Sequence, residues 1–142
     1  MPDKYFWDTN LWVYLNTSSE NPDDSGKRSQ LEDLLLTTEV IVVSAQVFNE
    51  LANVLMKKYG QTESDVKTRL NQIGLQTEMV QHTEEMTYQA LDLKSKYQLS
   101  WYDSLIAAAA LRAGCKFLFS EDFQDGLVIE GRLTVINPVK KK

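Results

Sequence analysis

The chain has 142 residues, 43% hydrophobic and 25% charged, which fits one globular domain that needs no disulfide staple. Its formal net charge of -5 argues against a module that binds nucleic acid through overall positive charge, but leaves room for an enzyme that does so through a metal and a local basic patch. A lone Cys115 and a single His exclude an intramolecular disulfide and a zinc site, and the longest wholly apolar run, 105–111, is too short to span a bilayer.

Met1-Pro2-Asp3-Lys4 runs into the first strand with no secretory leader pattern, so a cytoplasmic protein is expected. That strand, Tyr5-Phe6-Trp7, is aromatic throughout and ends abruptly at Asp8. Residues 10–15 read as a short apolar helix, and the polar stretch 16–26, with Asn21-Pro22-Asp23-Asp24, reads as a loop. A helix over 27–36 carries Leu31, Leu34 and Leu35 on one face. Val40-Ile41-Val42-Val43 has the continuous β-branched character of a strand buried on both faces of a parallel sheet. Ser44 caps the next helix, which Gly60 ends, and whose apolar stripe is Val47, Leu51, Val54 and Leu55. Glu50 falls on that stripe, where an unpaired carboxylate is expensive, while Asn49 and Asn53 stay open between surface and site.

A helix from Thr62 to Ile73 stops at Gly74, a weak strand covers 77–80, and Thr83 opens a helix with Met86, Ala90, Leu93 and Tyr97 inward. Ser100-Trp101-Tyr102-Asp103 then starts the most apolar helix, whose alanine run implies close approach to the sheet. Asp103 lies on its apolar side, in line with Ile106, Ala107 and Ala110. The strand Phe117-Leu118-Phe119 leads to Ser120-Glu121-Asp122, residues 127–129 fit a loop or short strand, and 133–136 form the last strand. Strands alternating with helices predict an α/β fold with a parallel sheet.

Four acids can meet on such a sheet. Asp8 and Asp122 follow strands, and Glu50 and Asp103 sit near the starts of helices, so all four can reach the rim formed by the carboxyl ends of the strands. Each also has a structural reading: Asp8 as a helix cap, Glu50 as the partner of a Lys or Arg, Asp103 in a capping box with Ser100, Asp122 in a surface loop with Glu121. Two carboxylates about 5 Å apart at an effective dielectric near 20 repel by roughly 3 kcal/mol, so a shared pocket holds protons or a hard cation. Oxygen donors without His or Cys select Mg²⁺ or Mn²⁺, which suits attack of water on a phosphodiester.

Asp8-Thr9-Asn10, Asn49-Glu50-Leu51, Trp101-Tyr102-Asp103-Ser104-Leu105-Ile106 and Ser120-Glu121-Asp122-Phe123, in that order and spacing, resemble the PIN-domain nucleases, and among them the VapC-type toxins of toxin–antitoxin pairs. The resemblance implies a PIN-like domain over residues 1–139, with about five parallel strands flanked by helices and a basic tail at 140–142. It implies a Mg²⁺- or Mn²⁺-dependent endoribonuclease whose acidic set is Asp8, Glu50, Asp103 and Asp122. Asp8, Asp103 and Asp122 would be metal ligands, and Thr9, Asn10 and Ser120 polar neighbours. Asp122 is preferred to Glu121 and Asp125 because a Ser, here Ser120, stands two residues before it. The implied partners are a structured RNA such as tRNA, a second copy of the chain in a homodimer, and a cognate antitoxin on an apolar groove with Leu11, Trp12, Leu15 and Leu51 as candidate lining.

Two other functions compete. One is a metal-dependent phosphohydrolase using Asp8 as a covalent nucleophile, which resembles haloacid-dehalogenase-like enzymes but has Asn10 where they carry a second Asp. The other is a non-catalytic partner-binding module. The single His82 lies at a strand-to-helix junction and offers no catalytic triad. Trp7, Trp12 and Trp101 read mainly as core, though Trp101 or Tyr102 is near enough to the rim to stack on a base.

Overall fold

The structure is a computed structural model that describes residues 2–18 and 21–140. Part of the expected loop and the last two lysines of the expected tail lie outside the described residues. In chain order the elements are β1 (Lys4–Trp7), α1 (Thr9–Asn16), α2 (Pro22–Thr37), β2 (Val40–Ser44), α3 (Ala45–Lys57) and α4 (Glu63–Gln76). They continue with β3 (Glu78–Val80), α5 (Glu84–Tyr97), α6 (Trp101–Arg112), β4 (Phe117–Phe119), β5 (Val128–Ile129) and β6 (Leu133–Ile136).

The strands form one sheet in the order β3-β2-β1-β4-β6-β5. Every neighbouring pair is parallel except the edge pair β5–β6, so the expected α/β class holds, with a short antiparallel strand added at one edge. From β1 the chain steps outward through β2 to β3, then returns to place β4 on the other side of β1. Right-handed crossovers therefore put the helices of the outward and return paths on opposite faces. The reversal makes the crevice between the carboxyl ends of β1 and β4 a topological switch point, where ligands of open α/β sheets bind.

The core explains the strand sequences. Phe6, Val42, Val43, Leu118 and Val135 are all 0% exposed, as strands covered on both faces require. Ala107, Ala108, Ala109 and Ala110 of α6 are buried as well, since small side chains let that helix lie close against its neighbours on all sides. Leu11, Trp12 and Leu51 belong to this core and Leu15 packs against it. Leu11, Trp12 and Leu51 are buried and so line no exposed groove; ordinary core packing is their role.

Two boundaries differ from the sequence reading. The helix expected from residue 27 starts at Pro22, because Asn21 caps it through the Asp23 N–H and Pro22 supplies a preset φ at the first helical position. The helix expected to stop at Gly74 runs on to Gln76. A lone glycine costs a helix only about 1 kcal/mol relative to alanine, which packing of Val66 and Ile73 offsets.

Candidate active site

The end of β1 is held against β4 by the backbone, with the Asp8 N–H donating to the Phe119 carbonyl at 3.0 Å. Asp8 is extended, at φ -71° and ψ 161°, and caps α1 by accepting the Thr9 N–H at 2.8 Å. Capping uses only one carboxylate oxygen. The other, Oδ2, accepts the Ser120 hydroxyl at 2.7 Å. The same Ser120 oxygen accepts the Asp122 N–H at 3.0 Å, so one hydroxyl ties the loop after β4 to the acid after β1. Asp122 in turn accepts the Asn10 amide at 2.8 Å. Thr9, Asn10 and Ser120 thus each hydrogen-bond one of these acids.

Asp103 enters from α6. Its backbone N–H donates to the Ser100 hydroxyl at 3.2 Å, so Ser100 is indeed the helix cap. The Asp103 carboxylate nevertheless reaches the other acids: Asp8, Asp103 and Asp122 each offer an oxygen, and those oxygens lie within 4.8 Å of one another. Glu50 stands beside this triad rather than in it. The half-buried Glu50 accepts Thr9 Oγ1 at 3.1 Å and Gln46 Nε2 at 2.6 Å, so its partners are polar side chains, not the Lys or Arg of the structural reading.

The electrostatics follow from burial. Asp8 is 4% exposed. Loss of solvent pushes its pKa up from 3.8 to about 7, the charges of Asp122 and Asp103 add to the rise, and the Ser120 and Thr9 hydrogen bonds oppose it. Asp103 is raised too, chiefly by partial burial and then by Asp122 and Glu50, with Ser100 opposing. Two neighbouring carboxyls that resist ionisation, Asp8 and Asp103, fit a pocket that a cation would relieve. Three carboxylates with no nitrogen or sulfur donor are a hard-ligand set, and they fit Mg²⁺ or Mn²⁺.

The other acids near Asp122 are occupied elsewhere. Glu121 pairs with Lys27 Nζ at 2.8 Å, and Asp125 accepts the Asn137 N–H at 2.9 Å and faces Lys140 at 3.4 Å. Neither Gln46 nor Lys27 stood out in the sequence. Gln46 had a local signal, one helical turn before Glu50. Lys27 had none, because its partner is 94 residues away.

Lys27 joins the loop after β4 to α2. It lies on α2, also reaches the Tyr14 hydroxyl at 3.2 Å, and anchors Glu121, the residue before Asp122. If Asp122 holds a cation, loosening its neighbour Glu121 by Lys27→Met is expected to weaken Mn²⁺ binding by about tenfold, the scale of an outer-shell loss. Calorimetric titration beside a thermal melt checks this, since a purely structural role would lower the melting temperature and leave Mn²⁺ affinity alone.

Comparison with known proteins agrees with this architecture. Similar solved structures include Mycobacterium tuberculosis VapC20, a toxin that cleaves the sarcin–ricin loop (17% identity, TM-score 0.67, covering 83% of this chain and 91% of that one). A toxin–antitoxin complex from Klebsiella pneumoniae is similar at 19% identity and a TM-score of 0.68, over 94% of this chain and 97% of that one. VapBC2 from Rickettsia felis, bound to a DNA fragment from its promoter, gives 20% identity and a TM-score of 0.64, over 93% and 96%. No curated protein sequence matches the chain. A family model for the PIN domain matches residues 5–124, which hold all four acids, and the chain belongs to the PIN domain family.

Proposed function

We propose that the protein is a Mg²⁺- or Mn²⁺-dependent endoribonuclease, the toxin of a toxin–antitoxin pair. The observation that carries this reading is the convergence of Asp8, Asp103 and Asp122 oxygens within 4.8 Å at the switch point of the sheet. The similar structures support the biological setting, since one is an RNA-cleaving toxin and two are toxin–antitoxin assemblies. The reading includes a cytoplasmic homodimer held inactive by an antitoxin.

Asp8, Asp103 and Asp122 would hold the cation. When bound there, it supplies Lewis-acid stabilisation of charge on the phosphoryl oxygens and acidifies a water. The chain's own residues do the rest. Ser120 fixes Asp8 and the Asp122 backbone together, and Asn10 orients the Asp122 carboxylate. Glu50, steadied by Thr9 and Gln46, accepts the proton of the attacking water. The water oxygen bonds to phosphorus, the bond from phosphorus to the leaving ribose oxygen breaks, and solvent protonates that oxygen. Covalent attack by Asp8 is less well supported, since Asn10, where the second acid of such enzymes would stand, cannot act as a general acid and donates its amide to Asp122.

The test is cleavage of total tRNA and ribosomal RNA by the purified protein. Cleavage with Mn²⁺ that stops with chelator is expected. Unchanged cleavage in excess chelator, or none with Mg²⁺ and Mn²⁺ across both RNA pools in the absence of antitoxin, would overturn the reading.

A further inference from the structure

Beside the acid cluster, α3, α6 and His82 border an open cavity of about 540 Å³, within the range of small-molecule sites. Glu50 lines it together with Gln46, Asn49 and Asn53. These positions are spaced i, i+3, i+4 and i+7, so they share one face of α3, next to the buried stripe of Val47, Leu51 and Leu55. Tyr102 and Leu105 line the cavity from α6. Tyr102 directly precedes Asp103, and Glu50 accepts the hydroxyl of Thr9, the residue after Asp8, so the cavity adjoins the acid cluster at both helices. Tyr102 is 64% exposed, although a large aromatic gains from burial wherever a core will take it.

The lining has a definite chemistry. It contains no Lys or Arg, and its one ring nitrogen pair is that of His82, whose Nε2 already pairs with Thr87 Oγ1 at 2.8 Å, so it holds no permanent cation for a phosphate. It offers an exposed aromatic face, a short apolar wall at Ala45 and Leu105, and amide side chains with capacity to spare. Gln46 uses both hydrogens of Nε2, one on Glu50 Oε1 at 2.6 Å and one on the Tyr102 carbonyl at 3.3 Å, so what it retains for a ligand is an acceptor oxygen. The Asn49 and Asn53 side chains make no hydrogen bond among the described residues, so each keeps both donors and an acceptor. An aromatic face with amides around it is what an unpaired base needs: a surface to stack on, and donors and acceptors for its edge. A docked helix would instead want an apolar stripe along α3, where the lining row is Gln46, Asn49, Glu50 and Asn53.

We propose that this cavity is a subsite for one unpaired nucleobase of the RNA substrate, next to the scissile phosphate. The base stacks on Tyr102, and Asn49, Asn53 and the Gln46 oxygen read its edge. The proposal deepens the ribonuclease reading and rests on it for the identity of the substrate. It would confine cleavage to single-stranded loops or bulges, because a base inside a helix cannot enter the cavity.

Neutral nucleosides test it apart from metal and from catalysis. Adenosine, cytidine, guanosine and uridine are titrated into isotope-labelled protein in chelator, and amide shifts are followed by NMR. At least one is expected to shift Tyr102, Leu105 and the side-chain NH₂ groups of Asn49 and Asn53 saturably. Tyr102→Ala should weaken that binding about tenfold, the loss expected for one stacked base, and Tyr102→Phe should retain it. With Mn²⁺ and RNA, Tyr102→Ala should raise KM by a similar factor. If no nucleoside shifts these residues while the protein cleaves RNA, the subsite is overturned and the nuclease reading stands. If nucleosides bind there and no RNA is cleaved, the cavity is a base-binding site, its place beside a scissile phosphate is overturned, and the nuclease reading falls. Wild-type KM in Tyr102→Ala with weaker capture of an antitoxin would overturn the base site and assign the cavity to a protein partner.

Discussion

Replacement of Asp103 by Asn is expected to abolish RNA cleavage, by roughly 10³-fold or more, while leaving the fold intact. The helix start does not depend on the carboxylate. Its cap is the Ser100 hydroxyl accepting the Asp103 backbone N–H, and that bond survives the substitution. What is lost is one of three charges in a cluster whose oxygens lie within 4.8 Å of one another. Asn keeps the shape and a carbonyl oxygen, but a neutral oxygen is a poor ligand for a hard dication. Removing one anion also lowers the repulsion on Asp8, since the Asp103 charge is among the causes of the raised Asp8 pKa. Asp103→Asn should therefore bind Mn²⁺ far more weakly and melt no lower than wild type in chelator. Cleavage assays and melts on the same preparation check both, and a variant with wild-type turnover would remove Asp103 from the site.

The position of Asp103 shows how much of this site the sequence could carry. A carboxylate in line with Ile106, Ala107 and Ala110 contradicts the apolar face of its own helix, and such a local conflict marks a functional position. Asp8 was legible because it ends an apolar strand, and in a parallel sheet that end faces the ligand rim. Glu50 was legible for the same reason as Asp103, but its surroundings were not. It lies at the edge of the buried stripe, in a polar seam with Gln46, Asn49 and Asn53 that a search for buried faces passes over.

What escaped the sequence is of two kinds. Long-range pairs leave no local trace: Lys27 meets Glu121, and Ser120 meets Asp8, only because the sheet order brings β4 beside β1. Elements with little to bury are also hard to read. Strand β5 has two residues, one of them exposed, and exists because the Leu127 carbonyl and neighbouring groups find partners on β6. Asn21-Pro22 was ambiguous in principle, because the same pair that interrupts a helix can begin one.

Asp8→Asn should kill cleavage and yet stabilise the metal-free protein. The folded state holds the Asp8 proton up to about pH 7, whereas the ordinary value is 3.8, so between those limits the folded state binds more protons than the unfolded one. Stability then falls as pH rises through that window, and above it the ionised carboxylate costs on the order of 4 kcal/mol at most. Asn carries no such charge and can keep both local contacts: its oxygen accepts the Thr9 N–H, and its amide donates to Ser120 Oγ, which the Asp122 N–H also uses. In chelator the variant should therefore melt above wild type at pH 8, with the gap closing as pH falls toward 4. Saturating Mn²⁺ should reverse the order at pH 8, because only wild type gains binding free energy, about 2.7 kcal/mol at a hundred times Kd. A variant less stable than wild type in chelator at pH 8 would mean that Asp8 is held by its hydrogen bonds more strongly than it is strained by burial. A wild type strained in chelator and relaxed by Mn²⁺ would place the role of these acids in binding a cation, rather than in holding the fold together.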